Sequence, residues 1–281
     1  MRNHTYPTSA SPPRFDPQDY WETRLREYPG LSGVGNTCLG RSYIQWLYKV
    51  RRAVFLRLLA SLNPDLRTAR VFDVGSGTGF YLELWNEVGV SSVTGSDLTE
   101  ISVARLESAL LWARVLRLDI GESLPSSELE RYDIVSAFDV LFHIVEEKQY
   151  DRAIRNLCAL LRPGGLLLFS DLLPRNGARR AEHVAFRPLK EVTALLAKTG
   201  FEVVGRVPML VLMEEPLDSS SKWYCFLWKL MTYPVKHSEF AGFLIGGMLY
   251  PLELILTKVF SESPTTEIVV CQKRLPGAVA Q

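Results

Sequence analysis

The ten residues VFDVGSGTGF, at positions 71–80, are the strongest indication of how this chain folds. The apolar start of the stretch predicts a short buried strand, and three glycines at alternate positions follow it directly. Glycines at the end of a strand let the backbone turn sharply and let a ligand approach where a side chain would block it. The amphipathic run 81–88 comes next and predicts a helix. A plain turn would not need three glycines behind an acidic strand residue, so the stretch indicates a ligand-binding loop.

Similar apolar runs recur along the chain, separated by longer amphipathic stretches. They lie at 71–74, 93–96, 115–118, 134–137, 166–170, 201–204 and 266–272. This alternation predicts an α/β fold of the Rossmann-like kind, with a mostly parallel seven-stranded sheet and helices on both faces. The last two runs are expected to pair as neighbours, with the final strand antiparallel. Because ligands of such sheets bind at the carboxyl ends of the strands, functional residues are expected just after each run.

Four helical patterns flank the sheet, at 16–28, 37–62, 223–233 and 240–260. The first two predict an N-terminal helical cap, and Asn63-Pro64 ends the second of them. The last two are rich in aromatic and aliphatic residues and form a helical insertion at about 214–264, before the last strand. We therefore divide the chain into a tail and helical cap at 1–65 and one α/β domain at 66–275.

Charge sets limits on function. The 281 residues include 32 basic and 31 acidic ones, so the formal net charge is +1. Binding nucleic acid by neutralising its phosphates needs a clear basic excess, so this class of protein is disfavoured. Several basic residues nevertheless follow the second cap helix, where a solvated face is the simpler interpretation and a rim beside an acidic substrate is the alternative. They are Arg41, Lys49, Arg51, Arg52 and Arg57.

Cysteine usage and hydropathy bear on location. Four cysteines lie far apart with no C-x-x-C pair, which argues against a disulfide framework and a zinc site, so a reducing cytoplasm is expected. The N-terminal residues lack the apolar segment of a secretory signal. The longest uncharged apolar run, 240–252, has 13 residues, whereas a bilayer span needs about 20, so no transmembrane span is expected.

Two acidic residues accompany the glycine loop. Asp73 stands at the end of the first strand, where its carboxylate is expected to accept hydrogen bonds from loop amides. Asp97 ends the second strand, where a carboxylate can accept hydrogen bonds from both hydroxyls of a ribose. A helix N-cap is the alternative role for Asp97. The third glycine comes one residue too early for a dinucleotide fingerprint, whose final position holds Phe80, so a nicotinamide-dependent oxidoreductase is the less favoured alternative.

At this point the sequence resembles the class I S-adenosylmethionine-dependent methyltransferases, over about 66–213 and 265–274. The resemblance includes the D-x-G-x-G-x-G pattern and Asp97. It also includes the segment Leu118-Asp119-Ile120, because the family has an acid near the adenine amine at this place after the third strand. Residues 132–144 are similar to its fourth strand and the loop that faces the substrate. The LRPGG sequence at 161–165 is similar to its turn into the fifth strand.

The resemblance implies S-adenosylmethionine as the cofactor and a set of residues that bind it: Asp73, Gly75, Gly77, Asp97, Asp119 and Ile120. It also implies a small-molecule acceptor, methylated on oxygen, nitrogen or carbon. The near-zero charge and the apolar insertion favour a mostly apolar acceptor, such as a natural product or a quinone-like aromatic. A non-catalytic module that binds the cofactor and scaffolds a partner is a further alternative.

Candidate catalytic and substrate-binding residues lie outside the glycine loop. His143 follows the fourth strand on the acceptor side and has the pKa of a general base, although a packing histidine is the simpler alternative. His183, together with Tyr20, Trp21 and Tyr43 of the cap, is expected to contact the substrate. Asp139 and Asp171 end strands, but no acid-acid-amide arrangement is evident, so no metal is expected. The insertion is a lid, a dimer surface or a peripheral membrane contact.

Overall fold

The computed structural model describes residues 15–175 and 177–277. Seven strands form one sheet: β1 (Arg70–Val74), β2 (Ser92–Asp97), β3 (Arg114–Arg117), β4 (Tyr132–Ala137), β5 (Leu161–Asp171), β8 (Phe201–Pro208) and β9 (Glu267–Lys273). Their order across the sheet is β3-β2-β1-β4-β5-β9-β8. Neighbours from β3 to β5 run parallel, and β9 runs antiparallel to both β5 and β8. The predicted fold class, including the pairing of the last two strands, is confirmed.

The strand order reverses at β1, which places the ligand-binding crevice. β1 pairs with β2 on one side and with β4 on the other, while the chain proceeds from β3 back across to β4. In open α/β sheets the ligand lies outside the carboxyl ends of the strands at such a reversal. The register aligns Val74 at the end of β1 with Ser96 of β2, so the two strands end together. The glycine loop and Asp97 therefore reach the same edge of the sheet.

Helices cover both faces of this sheet. They are α1 (Pro17–Glu27), α2 (Leu31–Val34), α3 (Arg41–Leu62), α4 (Phe80–Glu87), α5 (Glu100–Ala109), α6 (Glu147–Leu160), α7 (Leu189–Lys198), α8 (Lys222–Thr232) and α9 (Glu239–Val259). On one face, Phe55 of α3 packs edge-on against Trp85 of α4, with ring centroids 4.9 Å apart. On the other, α6 and α7 contribute Leu157 and Leu196 to one buried apolar cluster. A short hairpin of β6 (Arg179–Ala181) and β7 (Val184–Phe186), which was not predicted, lies outside the sheet.

The second cap helix begins later than predicted. It starts at Arg41 rather than Thr37, because Gly40 has a φ of +69° and interrupts the helix. A single 3₁₀ turn, Thr37–Leu39, precedes it and is capped by the side chain of Asn36. The predicted end at Leu62 is correct, since Asn63 adopts the left-handed conformation that closes many helices.

The first cap helix is fastened to the sheet domain at two points. The carboxylate of Glu22 in α1 accepts hydrogen bonds from the backbone amides of Glu100 and Ile101, at the start of α5. Arg105 of α5 donates to the carbonyl of Leu25 at 2.8 Å. These contacts hold α1 across the carboxyl ends of β2 and β3, so the cap forms one wall of the crevice.

The insertion consists of α8, a 3₁₀ turn and α9, and α9 packs along α3. Gly246 of α9 lies against the indole of Trp46, where a Cβ would come within 2.4 Å of the ring. Further along, the buried carboxylate of Glu253 accepts hydrogen bonds from the amides of Val211, Leu212 and Met213. Within the described residues, α9 is the one helix whose length and mean hydropathy of 1.6 would suffice to cross a bilayer. The predicted helix at 240–260 is confirmed, since α9 continues through Pro251 for 21 residues, and the absence of a transmembrane span stays a prediction.

Candidate active site

The glycine loop turns through backbone conformations that disfavour other residues. Gly75 and Gly77 have φ values of +66° and +53°. At Gly75 a Cβ would also lie 2.4 Å from Cγ2 of Val140, so both the backbone and the space exclude a side chain. The amide of Ser76 donates to the carbonyl of Ser96 at 2.8 Å, which ties the loop to the end of β2. Both glycines line a cavity that opens at this edge of the sheet.

Asp97 connects the loop to the start of α5. Its Oδ1 accepts hydrogen bonds from the amide and the hydroxyl of Thr99, at 3.0 and 2.7 Å, and its Oδ2 accepts one from the amide of Gly77 at 2.8 Å. Burial raises the pKa of Asp97, and these donors oppose that shift. The helix N-cap is Thr99 rather than Asp97, so the alternative role is excluded. Asp97 also lines the cavity, and a carboxylate has about four acceptor positions, so it can accept a further hydrogen bond beside these three.

Asp119 and Ile120 follow β3, the neighbour of β2, and line the same cavity. Oδ1 of Asp119 accepts a hydrogen bond from the amide of Gly121 at 2.7 Å, which fixes the carboxylate at the cavity wall. Ile120 is buried and lines the cavity with its apolar side chain. An acid that accepts hydrogen bonds beside an apolar surface suits a flat heterocycle with an amino group.

Asp73 lies behind the loop rather than in the cavity wall. It is buried between β1 and β4, where it accepts a hydrogen bond from the hydroxyl of Ser136. Trp85 donates in turn to that hydroxyl at 3.1 Å. Burial raises the pKa of Asp73 to about 7. The carboxylate that accepts a hydrogen bond from a loop amide is that of Asp97, and the donor is Gly77. The expectation that Asp73 accepts hydrogen bonds from loop amides was therefore wrong.

His143 lies in a 3₁₀ turn, Leu141–His143, and lines the far end of the cavity. Burial lowers its pKa to about 4, so the ring is neutral at pH 7. Its Nδ1 lies 2.9 Å from the carbonyl oxygen of His183, which can only accept a hydrogen bond. Nδ1 therefore carries the proton, and Nε2 keeps its lone pair.

Aromatic rings surround His143 on the cap side. Trp21 of α1 meets the imidazole edge-on, with ring centroids 4.8 Å apart, and also lines the cavity. Tyr20 stacks on His183 at 5.1 Å. His183 lies in the turn between β6 and β7, so this hairpin places the His183 carbonyl beside His143. Trp21 is thus placed on the cavity wall, whereas Tyr20 and His183 support the wall from behind.

The structure does not bring Tyr43 to this cavity. Its ring is fully buried between α3 and the insertion, and its hydroxyl donates to the carbonyl of Met213 at 2.9 Å. Asp139 does line the cavity, whereas Asp171 is buried at the end of β5. Within residues 15–175 and 177–277, no three His, Cys, Asp or Glu side chains are grouped as a metal site.

Arg51 has a structural role that its sequence pattern did not predict. A solvated face was expected for it, but its side chain is only 8% exposed and pairs with Asp139 in the cavity wall. Its second amino group lies 3.9 Å from Glu214, which begins the insertion. The apolar spacing of α3 was the available signal, because Arg51 follows Val50 on the buried side of the helix.

One cavity therefore joins the glycine loop, two acids at neighbouring strand ends and a neutral histidine under an aromatic wall. This fold and site define an α/β protein with a cavity suited to a nucleoside-type cofactor. The family model described as "Methyltransferase domain" matches residues 43–205, more than half of the chain. The chain belongs to this family, the class I S-adenosylmethionine-dependent methyltransferases.

Relatives agree with this assignment. The ubiquinone biosynthesis O-methyltransferase of Bordetella avium is 33% identical over 120 residues, 42% of this chain and 48% of that protein. The matched region thus spans about half the length of such curated relatives. Among solved structures, a magnesium protoporphyrin IX methyltransferase from Synechocystis PCC 6803 with bound S-adenosylmethionine is 16% identical, with a TM-score of 0.56 over 94% of this chain and all of that one.

The fold alone does not fix the chemistry. A [4+2]-cyclase structure is similar at a TM-score of 0.50 and 20% identity, over 79% of this chain and 80% of that chain. The residues of the cavity fit S-adenosylmethionine. A ribose hydroxyl of this cofactor can donate a hydrogen bond to the Asp97 carboxylate, and its adenine amine can donate one to Asp119. It has no pyrophosphate, which agrees with a loop that offers acids rather than a phosphate cradle.

Proposed function

We propose that this protein transfers a methyl group from S-adenosylmethionine to a small, mostly apolar acceptor, and that the acceptor atom is a phenolic oxygen. The observation that carries the proposal is the single cavity that runs from Asp97 and Asp119 to His143 and Trp21. The first pair suits the cofactor and the second suits an aromatic acceptor. The named activity of the Bordetella relative, an O-methyltransferase, supports oxygen as the acceptor atom.

The cofactor, when bound, supplies an electrophilic methyl group on a positively charged sulfur. Asp97, Asp119 and the Gly75–Gly77 backbone would hold it. Alignment of two reactants in one cavity can by itself supply several kcal/mol, through effective molarities of about 10⁵ M or more. The main task of the protein residues is therefore to hold the acceptor in line and to exclude water.

His143 handles the acceptor proton. Its Nε2 lone pair can accept a hydrogen bond from a phenolic hydroxyl, while the His183 carbonyl fixes the ring by holding Nδ1–H. A pKa of about 4 makes this imidazole a weak base. We therefore expect the proton to pass to Nε2 only as the oxygen becomes acidic during transfer, rather than in a separate step before it. Trp21 packs against the ring and limits its rotation.

A labelled-methyl experiment tests this function. The protein is incubated with S-adenosylmethionine carrying an isotopic methyl group and a panel of phenols, amines and carbon acids, and products are followed by mass spectrometry. Label on phenolic oxygen supports the proposal, and label on amines alone contradicts it. Calorimetry with S-adenosylhomocysteine and NADH gives a second readout. Binding of the first without any labelled product would favour the scaffold alternative.

Replacing His143 gives a direct prediction. His143→Ala is expected to lower kcat by about 100-fold, in the range usual for a proton acceptor. His143→Gln keeps an acceptor atom and should recover part of that loss. Because the pKa is about 4, the ratio of wild-type to alanine-variant rates should stay constant from pH 8 to 6 and fall only toward pH 4.

His237→Ala is the matched control, since His237 is exposed and its Nδ1 also lies near a carbonyl, that of Tyr233 at 2.8 Å. It should leave the rate unchanged. A rate ratio that falls with a midpoint near 6.5, as for an ordinary histidine, would contradict the lowered pKa of His143.

Cytoplasmic location is also part of the proposal. The four cysteines are unpaired thiols, with Cys158 and Cys271 buried and Cys38 exposed. Proteins of oxidising compartments more often pair such residues. A fusion to a fluorescent reporter with compartment markers would test the location.

A further inference from the structure

The insertion presents a long apolar stripe to solvent. On α9 the side chains of Phe240, Met248 and Val259 are 72%, 78% and 74% exposed. Three or four residues separate successive members of the stripe, which places them on one side of the helix. The complete stripe is Phe240, Leu244, Met248, Leu252, Ile255 and Val259. An exposed apolar surface of this extent usually marks an interaction site.

The opposite side of α9 is built into the fold. Gly242 and Gly246 lie against Tyr43 and Trp46 of α3, and Glu253 is fully buried under three backbone amides that donate to it. A bilayer-spanning position for α9 would strip these amides from Glu253 and place the acid in hydrocarbon, where charged groups are costly. Helix α9 therefore exposes one apolar face to solvent and packs its other face against the protein, as interfacial helices do.

Helix α8 adds a second exposed stripe with a different composition. Trp223, Phe226, Leu230 and Tyr233 recur every three or four residues and are all exposed. Tryptophan and tyrosine favour the boundary between lipid and water, because each joins an apolar ring to a polar group.

The charges of the segment 221–260 indicate which kind of partner binds to the two exposed apolar stripes. Between 221 and 260 there are four lysines, and all four are exposed. The two acids of the segment are both engaged, since Glu253 is buried and Glu239 accepts hydrogen bonds from the amides of Arg41 and Ser42. The uncompensated charges around the apolar stripes are therefore basic, in a chain whose overall net charge is +1. The lysines are Lys222, Lys229, Lys236 and Lys258.

We propose that the exposed faces of α8 and α9 form a lipid-docking surface that rests on an anionic bilayer without crossing it. Lysines beside apolar stripes are attracted by anionic headgroups while the stripes enter the acyl boundary. A second copy of the chain fits less well. A two-fold interface would bring the same lysines of both copies together, with no free acid in the segment to pair them.

Vesicle flotation with the full chain tests this proposal. Vesicles of phosphatidylcholine alone are compared with vesicles in which a third of the lipid is phosphatidylglycerol. We expect binding to be about tenfold or more tighter on the anionic vesicles and to weaken with salt. The combined variant Lys222→Gln, Lys229→Gln, Lys236→Gln, Lys258→Gln should lose that preference. Protein bound to vesicles should be released by alkaline carbonate, because it is peripheral.

Two apolar variants separate the helices. Phe240→Ser with Met248→Ser, and Trp223→Ser with Phe226→Ser, should each weaken binding to the vesicles by about tenfold or more. Each variant removes two apolar side chains that the bound lipid would bury at the acyl boundary. Leu111→Ser is the matched control, because Leu111 is 87% exposed but lies outside the insertion. Circular dichroism and the thermal midpoint establish that each variant is folded.

Several outcomes would overturn the proposal. Wild-type protein that stays unbound on both vesicles, or binds them equally, would exclude an anionic lipid surface. Resistance to carbonate extraction would show that α9 crosses the bilayer. A dimer in light scattering that Phe240→Ser with Met248→Ser converts to a monomer would assign the surface to a second copy. None of these readouts depends on methyl transfer, so they are independent of the proposed function.

Discussion

Asp97→Ala is expected to abolish useful cofactor binding while leaving the protein folded. The carboxylate holds the amide of Gly77 and both donors of Thr99, and it keeps one acceptor position for the ligand. Each hydrogen bond to a charged acceptor contributes about 1.5–3 kcal/mol, so loss of a ribose diol contact and of the loop anchor should weaken binding by about 100-fold or more. Calorimetric titration with S-adenosylhomocysteine measures the change.

A neighbouring acid supplies the control. Glu100 lies three residues further on, but its carboxylate is exposed at the surface, where it pairs with Arg117. Glu100→Gln should bind S-adenosylhomocysteine as the wild type does. Asp97→Asn keeps the shape but replaces one acceptor oxygen by a donor, and it should be nearly as impaired as the alanine variant. Dissociation constants for Asp97→Ala within threefold of wild type would contradict the assigned role.

Arg51→Ala is expected to cause the largest loss of stability. Burial alone would lower the pKa of Arg51, yet Asp139 and Glu214 beside it raise that pKa above its usual range. Removal of the guanidinium would leave the acids without their cation. Breaking a buried ion pair by deleting one partner costs about 3–5 kcal/mol in the free energy of unfolding. Urea denaturation followed by circular dichroism measures this change.

The adjacent residue makes a matched comparison. Arg52 precedes Ala53 on the same helix, is about half exposed and pairs with Glu87 on the surface. Exposed ion pairs contribute about 1 kcal/mol or less, so Arg52→Ala should be nearly neutral. An Arg51→Ala protein that unfolds at the wild-type urea concentration would show that the buried pair adds nothing. Because Asp139 lines the cavity, the same variant should also weaken acceptor binding.

The sequence was sufficient to bring most of the predicted cofactor residues, although not Asp73, to the wall of one cavity. Gly75, Gly77, Asp97 and Asp119 all stand at or just after the ends of strands, and the ends of neighbouring parallel strands meet at one edge of a sheet. Their positions along the chain thus fix their positions in space. His143 could be assigned to the same cavity for this reason, because it follows β4 by only a short turn.

The sequence was insufficient where helices decide which side chains face inward. Tyr43 and Arg51 lie on one helix, yet Tyr43 was assigned to substrate and Arg51 to solvent. Both are buried, because α9 covers one side of α3 and the sheet covers another. Helical periodicity identifies a buried stripe but does not reveal that a second helix, about 200 residues away in the chain, widens it.

Local sequence was enough to predict the fold class, the glycine loop and the order of acids along the strand ends, because these depend on local backbone geometry and on the period of apolar residues. The folded protein was needed to establish the protonation of His143, the burial of Arg51 with Asp139 and the exposed face of α9. Each of these depends on desolvation and on partners distant in the chain, such as the His183 carbonyl and Glu214. Burial and pairing energies belong to the assembled core, and no local pattern encodes them.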